Sequence, residues 1–199
     1  AATGGLYPIG KRLFDLVFAL VGVLGLSLIL PFVWLGLRLD SPGPMFYTQE
    51  RVGQGGRAFR VRKIRTMVVD AEKGGKAVWA TQNDPRVTRI GKVLRRLHLD
   101  ESPQFLNVLF GEMSVVGPRP ERPEFVAQLE KKIPFYRLRH AVKPGMAGWA
   151  ILHAGYADSE EDARLRVEYD LYYIKHQSSW FDFWILLRMF GHVLTFKGQ

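Results

Sequence analysis

The chain has 199 residues, 47% of them hydrophobic, enough for one domain with a core or for one domain plus a membrane anchor. Lys and Arg number 28 against 19 Asp and Glu, a formal net charge of +9, so the partners to expect are anionic: nucleic acid, phosphorylated small molecules or acidic lipid headgroups. With no cysteine, disulfides and thiolate metal sites are excluded, which fits a reducing, cytoplasm-facing location.

The opening Ala1-Ala2-Thr3-Gly4-Gly5 reads as a leader remnant outside the fold. Residues 16–37 then carry no charged side chain. A straight helix of about 22 residues reaches roughly 33 Å, enough to cover a bilayer core. The run is too long for a signal peptide, and no small-residue cleavage site follows it. Pro31 lies inside, where it removes a backbone hydrogen bond and bends a helix, and Gly22, Gly25 and Ser27 soften the turns before it. Lys11 and Arg12 flank one end and Arg38 the other, so the distribution of positive charge sets no direction. Two readings stand level: a kinked span, or a re-entrant helix with both ends on the cytoplasmic face. A buried helix of a soluble core is a weaker third.

Asp40-Ser41-Pro42-Gly43-Pro44 is a loop by composition. Residues 45–49 read as a short strand, Gly53, Gly55 and Gly56 as a turn, and residues 58–65 as a second strand alternating apolar with basic, which predicts one basic face on the hairpin. Asp84-Pro85 predicts a helix start, with Asp as N-cap and Pro in the first turn. Val87, Ile90, Leu94 and Leu97 form its buried stripe, while Arg89, Lys92 and Arg96 share another face with Arg95 to one side. Ser102-Pro103 repeats the cap logic for a helix to about residue 109. Asp100 and Glu101 therefore fall at a junction between two helices, where exposed backbone N–H groups add positive field. Ser159-Glu160-Glu161-Asp162 reads as a capping box opening a helix to about residue 176. The aromatic residues 180–187 either pack in the core or lie in a membrane interface, the interface being favoured.

The Gly53-x-Gly55-Gly56 spacing is too loose for a dinucleotide fingerprint, and no Walker loop or nucleophile elbow is present. The five histidines lack metal-ligand spacing. Without exposed aromatics interleaved with basic residues on a recognisable fold, nucleic acid drops out as a partner. Alone, Asp100-Glu101 would simply start a helix. Set between Arg86, Arg89, Lys92, Arg95 and Arg96 upstream and Gly117-Pro118-Arg119-Pro120 downstream, it suits a site that handles phosphates through a divalent metal.

Several motifs in a fixed order carry a resemblance. They are Lys11-Arg12-x-x-Asp15, Lys63-Ile64-Arg65-Thr66-Met67, Asp84-Pro85-Arg86-Val87-Thr88-Arg89-Ile90-Gly91, Leu99-Asp100-Glu101, Gly117-Pro118-Arg119-Pro120, Lys143-Pro144-Gly145-Met146-Ala147-Gly148-Trp149 and Tyr169-Asp170-Leu171-Tyr172-Tyr173-Ile174-Lys175. From residue 11 to about 197 the chain resembles the bacterial sugar transferases, the small monotopic phosphoglycosyl transferases. From Gly155-Tyr156-Ala157-Asp158-Ser159 onward it looks most like members that start exopolysaccharide synthesis. The resemblance implies an α+β fold. Residues 1–10 would be leader, 11–39 a re-entrant helix broken at Pro31 and anchored by Lys11 and Arg12. Residues 40–199 would form a mostly helical catalytic domain with a small hairpin and interfacial helices, on the cytoplasmic face of the bacterial inner membrane.

It implies transfer of a phosphosugar from a UDP-sugar, of the glucose or galactose class, to polyprenyl (undecaprenyl) phosphate in the phospholipid bilayer, with release of UMP. Asp100 would be the nucleophile, forming an aspartyl-phosphosugar intermediate. Glu101, jointly with Asp100, would hold Mg²⁺, and Lys63, Arg95 and Arg119 would bind phosphate. A homodimer is compatible with it. Three departures stand out: Leu30-Pro31 where Ser-Pro is common, Ser102 where Leu is common, and Ile151-Leu152 where Gln-Val usually follows. The chain reads either as a natural short member or as a catalytic unit excised from a longer relative.

Overall fold

The computed structural model describes residues 5–71, 84–154 and 160–194. Its first element, α1 (Tyr7–Asp40), is a single helix of 34 residues with a proline in its first turn and Pro31 inside it. At 1.5 Å per residue it is about 51 Å long. Its most apolar 18-residue window has a mean hydropathy of 2.7 and is only 17% buried, which is not how a soluble core helix sits. Asp15, Ala19, Leu26, Val33 and Leu37 form the stripe that packs on the rest of the protein, while Leu20, Leu24, Leu28 and Phe32 face outward.

The hairpin forms where the alternation placed it. β1 (Phe46–Val52) and β2 (Ala58–Ile64) pair antiparallel, Phe46 opposite Ile64 and Val52 opposite Ala58, around a turn at Gln54–Gly56. The single basic face does not survive, because Val61 and Ile64 lie on opposite faces and both are buried. The cations divide accordingly: Arg62 Nη1 donates to Glu112 Oε2 (3.1 Å) and Lys63 Nζ to Glu101 Oε1 (2.8 Å).

The next helix, α2 (Arg89–Arg96), starts later than expected. Val87 is held in an antiparallel bridge with Met67, and Thr88 N–H donates to the Thr66 carbonyl, so the backbone is still extended there. The cap is Thr88, whose Oγ1 accepts from Gly91 N–H at 3.0 Å. Asp84 accepts instead from the Arg86 guanidinium and backbone. A 3-10 turn at Leu99–Glu101 then leads into α3 (Gln104–Leu109). Ser102 is not the N-cap of α3: its hydroxyl donates back to the Leu99 carbonyl at 2.6 Å.

Two three-residue strands, β3 (Ser114–Val116) and β4 (Gly145–Ala147), pair in parallel on either side of α4 (Pro123–Lys132) and a 3-10 stretch at Tyr136–Ala141. The chain continues through α5 (Trp149–Ala154), α6 (Glu160–Lys175) and α7 (Ser179–Leu194). The expected cap Ser159 and the segment from Gly155 to Ser159 lie outside the described residues. Along α7 both expectations meet: Asp182, Ile185 and Leu186 are buried, whereas Trp180, Phe183, Leu187 and Phe190 form an exposed stripe.

Apolar packing falls into three cores. One joins Ala19 of α1 to Val61, Val108, Met113, Val116, Tyr173 and Ile185. A second joins Leu26, Val33 and Leu37 of α1 to Ile64 and Leu94. The third, Val52, Val126, Leu129, Ile133, Tyr136, Ala163 and Val167, contains no residue of α1. The result is an α+β fold, mostly helical, with two small sheets and one long apolar N-terminal helix.

Candidate active site

Asp100 and Glu101 sit in the tight turn between α2 and α3, directly after His98, which adopts a left-handed conformation (φ 55°). Three other segments converge on that turn. β2 carries Lys63 one residue before its end, and the Lys63 ammonium meets Glu101 at 2.8 Å. The loop after β3 supplies Arg119, which grips the same carboxylate in a fork, Nη1 on Oε2 at 3.1 Å and Nη2 on Oε1. α2 supplies Arg95, held by Nε donation to Thr66 Oγ1 at 2.9 Å.

Close backbone approach fixes the Arg119 loop. Gly117 N–H donates to the Ala147 carbonyl and Gly145 N–H to the Pro118 carbonyl, both at 2.9 Å. A Cβ on Gly145 would collide with the Gly117 backbone, so the two motifs Gly117-Pro118-Arg119-Pro120 and Lys143-Pro144-Gly145 meet only as glycines. Beneath them Arg139 donates to Asp170 Oδ2 (2.7 and 3.1 Å), to Tyr136 Oη (2.9 Å) and to the Arg119 carbonyl (2.9 Å). A buried ion pair thus holds the main chain of the residue that grips Glu101.

The two carboxylates are placed differently. Asp100 is 9% exposed, and among the described residues no hydrogen bond reaches its carboxylate. Burial pushes its pKa up, the Glu101 charge adds to that, and the charges of Lys63, Arg95 and Arg119 work against it. Burial also disfavours the charge on Glu101, but Arg119 and then Lys63, through charge and hydrogen bonds, outweigh it and hold the carboxyl well below its usual range. Neighbouring acids with their proton affinities driven apart are the usual mark of divided chemical roles.

For a metal, no group of three or more His, Asp or Glu side chains gathers among the described residues. Mg²⁺ needs no such cage, since it is commonly bound by one or two carboxylates plus substrate phosphates and water. The uncommitted Asp100 carboxylate, next to Glu101, fits that donor set.

Lys63, Arg119 and the acidic pair therefore form one cluster, with Arg95 near enough for its charge to act on Asp100. Lys11 and Arg12 go elsewhere. Lys11 Nζ reaches Asp182 Oδ2 (2.9 Å), the Val116 carbonyl (3.0 Å) and Tyr173 Oη (3.2 Å), and Arg12 reaches the Val108 and Leu109 carbonyls at 2.7 and 2.8 Å. Pro31 stands exposed within α1. Sequence reasoning quoted Asp15 and Asp170 only within motifs, without a role, and gave none to Arg139 or Asp182. A signal existed: Asp170 occupies a position in line with Val167 and Tyr173, where a helix's buried stripe normally carries an apolar side chain.

The chain matches the bacterial sugar transferase family over residues 6–196 and belongs to it. It is 44% identical over 193 residues (97% of the chain) to a UDP-N-acetylgalactosamine-undecaprenyl-phosphate N-acetylgalactosaminephosphotransferase of Aeromonas hydrophila, covering 45% of that protein. It is 45% identical over 190 residues (94% of the chain) to a UDP-glucose:undecaprenyl-phosphate glucose-1-phosphate transferase of Escherichia coli K12, covering 40% of it. The chain thus spans less than half the length of these two relatives. An exopolysaccharide production protein of Rhizobium leguminosarum bv. phaseoli, 42% identical over 190 residues, is matched over 94% of its length and 93% of the chain.

Proposed function

We propose that the protein transfers a phosphosugar from a UDP-sugar to undecaprenyl phosphate at the membrane surface, in two covalent steps. The observation that carries this reading is the asymmetry of the acidic pair. Asp100 is buried, free of hydrogen-bond donors among the described residues and surrounded by cations, whereas Glu101 is immobilised by Lys63 and Arg119. The first has the setting of a nucleophile and the second that of an electrostatic anchor. The relatives from Aeromonas and Escherichia carry names for this type of transfer, with N-acetylgalactosamine and glucose respectively.

In the first step an Asp100 carboxylate oxygen forms a bond to the β-phosphorus. The bond from that phosphorus to the bridging oxygen breaks, and its electron pair leaves with UMP. In the second, a phosphate oxygen of undecaprenyl phosphate bonds to the same phosphorus and displaces Asp100, which returns as a carboxylate. Two anions must approach in each step, so Lys63, Arg95 and Arg119 orient the phosphoryl oxygens and offset their charge. Mg²⁺, held by Asp100 and Glu101 with the diphosphate, would supply further charge neutralisation. Desolvation keeps the Asp100 carboxylate basic and excludes water that would hydrolyse the intermediate.

Placement at the bilayer is supported by α1. Its N-terminal part is tied through Lys11 and Arg12 to carbonyls of the catalytic domain, and at its other end Asp40 Oδ2 accepts from Ile90 N–H at 2.8 Å. Both ends attached to one domain support a re-entrant or in-plane helix over a straight crossing, with the exposed stripe of α7 lying in the interface. The catalytic domain then faces the cytoplasm, where UDP-sugars are found.

The test is Asp100→Asn, with UMP release from UDP-glucose and UDP-N-acetylgalactosamine read out in the presence of undecaprenyl phosphate and Mg²⁺. Turnover should fall about a thousandfold or more. Without the lipid, radiolabel from the sugar should stay on denatured wild-type protein and be absent from the variant. Wild-type turnover by Asp100→Asn would sink the nucleophile assignment, and no release from any UDP-sugar would leave a non-catalytic anion-binding module.

A further inference from the structure

Both shoulders of the turn that carries the acidic pair rest on α1. Leu99, immediately before Asp100, packs against the core that α1 forms through Leu26, Val33 and Leu37. Phe105, in the first turn of α3, packs in the core that contains Ala19 of the same helix. Its ring lies so close to Gly22 that a Cβ there would fall inside contact distance of Cγ, Cδ2 and Cε2. The glycine expected to soften the helix instead forms a notch in it, and Phe105 fills the notch. Gly22 and Leu26 are four residues apart, about 6 Å along one face of α1.

Hydrogen bonds brace the segment between the two contacts. Ser102 N–H and Oγ both donate to the Leu99 carbonyl, at 3.2 and 2.6 Å, and Phe105 N–H donates to the Ser102 carbonyl at 3.1 Å. Ser102, one of the departures noted in the sequence, supplies through its hydroxyl a bond that leucine lacks. A short bracket thus fastens Asp100 to residues 22–26, which lie inside the uncharged run of residues 16–37.

The bracket bears unequally on the two substrates. A UDP-sugar arrives from water and follows the site wherever it sits. The phosphate of undecaprenyl phosphate is held at the level where its hydrocarbon chain enters the bilayer, so its reach depends on the height of the site. Glu101 ties Lys63 and Arg119 to the turn, and a shift of the turn on α1 carries these donor contacts with it. The same shift changes the offset from the lipid, and a misplacement of about 1 Å between reacting groups costs as much as a hundredfold in rate.

We propose that Leu99, Phe105 and the Gly22 notch are positioning residues for the acceptor step, fixing the height on α1 at which the lipid phosphate meets the phosphorus bound to Asp100. In that step the lipid phosphate oxygen bonds to the phosphorus, the bond to the Asp100 oxygen breaks, and its electron pair returns to the carboxylate. This rests on the transfer reaction and the placement of α1 proposed above.

Gly22→Ala in the full chain, reconstituted in phospholipid nanodiscs, tests the role, with Gly25→Ala as control. Both substitutions raise helix propensity alike, but a Cβ on Gly25 meets nothing within 4 Å. UDP-glucose or UDP-N-acetylgalactosamine, radiolabelled in the sugar and given without acceptor, reads the donor step as label on the protein. Undecaprenyl phosphate added next reads the acceptor step as loss of that label. Gly22→Ala should take up label within about twofold of wild type and lose it about tenfold more slowly or worse, while Gly25→Ala matches wild type in both. Combining Gly22→Ala with Phe105→Leu, which trims the side chain facing the new methyl, should recover most of the lost rate. Thermal unfolding identifies a Gly22→Ala protein without its fold; Phe105→Leu alone, which leaves the notch part-filled, then carries the comparison, with normal uptake and slow loss expected. Equal slowing of both steps, equal slowing by Gly25→Ala, or a double variant no faster than Gly22→Ala overturns the positioning role. If wild type releases UMP but holds no label, the covalent steps fall, and the role is judged by KM: a rise for undecaprenyl phosphate alone keeps it, and an equal rise for both substrates overturns it. Wild type that releases no UMP from any UDP-sugar removes the reaction and the role together.

Discussion

Replacing Asp170 by Asn tests the support beneath the site. Asp170 is 2% exposed and accepts two charge-assisted hydrogen bonds from Arg139, itself 7% exposed. Asparagine keeps a carbonyl oxygen in the same place but removes the negative charge. The Arg139 guanidinium then stays buried, close to the charge of Arg166, with only neutral oxygens to accept from it among the described residues: the new amide oxygen, Tyr136 Oη and the Arg119 carbonyl. Breaking a buried ion pair from one side costs about 3–5 kcal/mol. For a chain of this size each kcal/mol moves the unfolding midpoint by about 2–4 °C, so a fall of about 6–20 °C is expected. The assay is thermal unfolding of wild type and variant in one detergent at one pH, followed by near-ultraviolet circular dichroism. A double variant, Arg139→Leu with Asp170→Leu, removes both charges and should lose less than Asp170→Asn alone. A fall of less than about 2 °C for Asp170→Asn, or a double variant less stable than the single one, would refute the argument that charge compensation holds this hub together.

Lys11→Met should also destabilise, by about 3 kcal/mol or more, because among the described residues the Asp182 carboxylate (2% exposed) would keep only the hydroxyls of Tyr7 and Tyr173 as partners; an unchanged midpoint would count against it. Gly91→Ala places a Cβ against the Thr66 carbonyl oxygen, inside contact distance, and should cost about 1–3 kcal/mol in a denaturant titration although Ala is the better helix former. His140 gives a pH signature. Burial, then the Arg139 charge, lowers its pKa to about 4, and its Nε2 is buried without a hydrogen bond. As pH falls below about 6.5 the unfolded chain takes up a proton that the folded one refuses until about pH 4, so stability is lost across that window. His140→Leu should flatten the loss between those values, and an unchanged slope would contradict it.

Periodic patterns carried well from sequence to structure. The alternation of residues 58–65 and the 3.6 spacing of Ile90 and Leu94 placed β2 and α2, and the uncharged run placed most of α1. The acidic pair was also found at its junction, because Pro103 marks the start of α3 locally even though Ser102 does not cap it. Failures came where a distant partner decided the outcome. Asp84 had every local mark of an N-cap, but Thr66 captured the Thr88 backbone and moved the helix start to Arg89. β3 and β4 have three residues each, too few for any period, and exist because Gly117 and Gly145 let two remote loops touch. In the site, Lys63 and Arg119 were legible through motif context, whereas the Arg139–Asp170 pair beneath them was not. An acid on the otherwise apolar buried stripe of a helix says that something must neutralise it, without saying what.

Lys11 is completed only by side chains and carbonyls from far along the chain, the most distant being Asp182, 171 residues later. At a synthesis rate of roughly 5–20 residues per second, that carboxylate leaves the ribosome about 9–35 s after the lysine. During that interval α1 has its apolar surface but lacks its counter-ion, so the emerging helix would be committed to the lipid phase before the domain that pins its ends exists. On the placement of α1 proposed above, insertion would precede the ion pair that ties the helix to the rest of the chain.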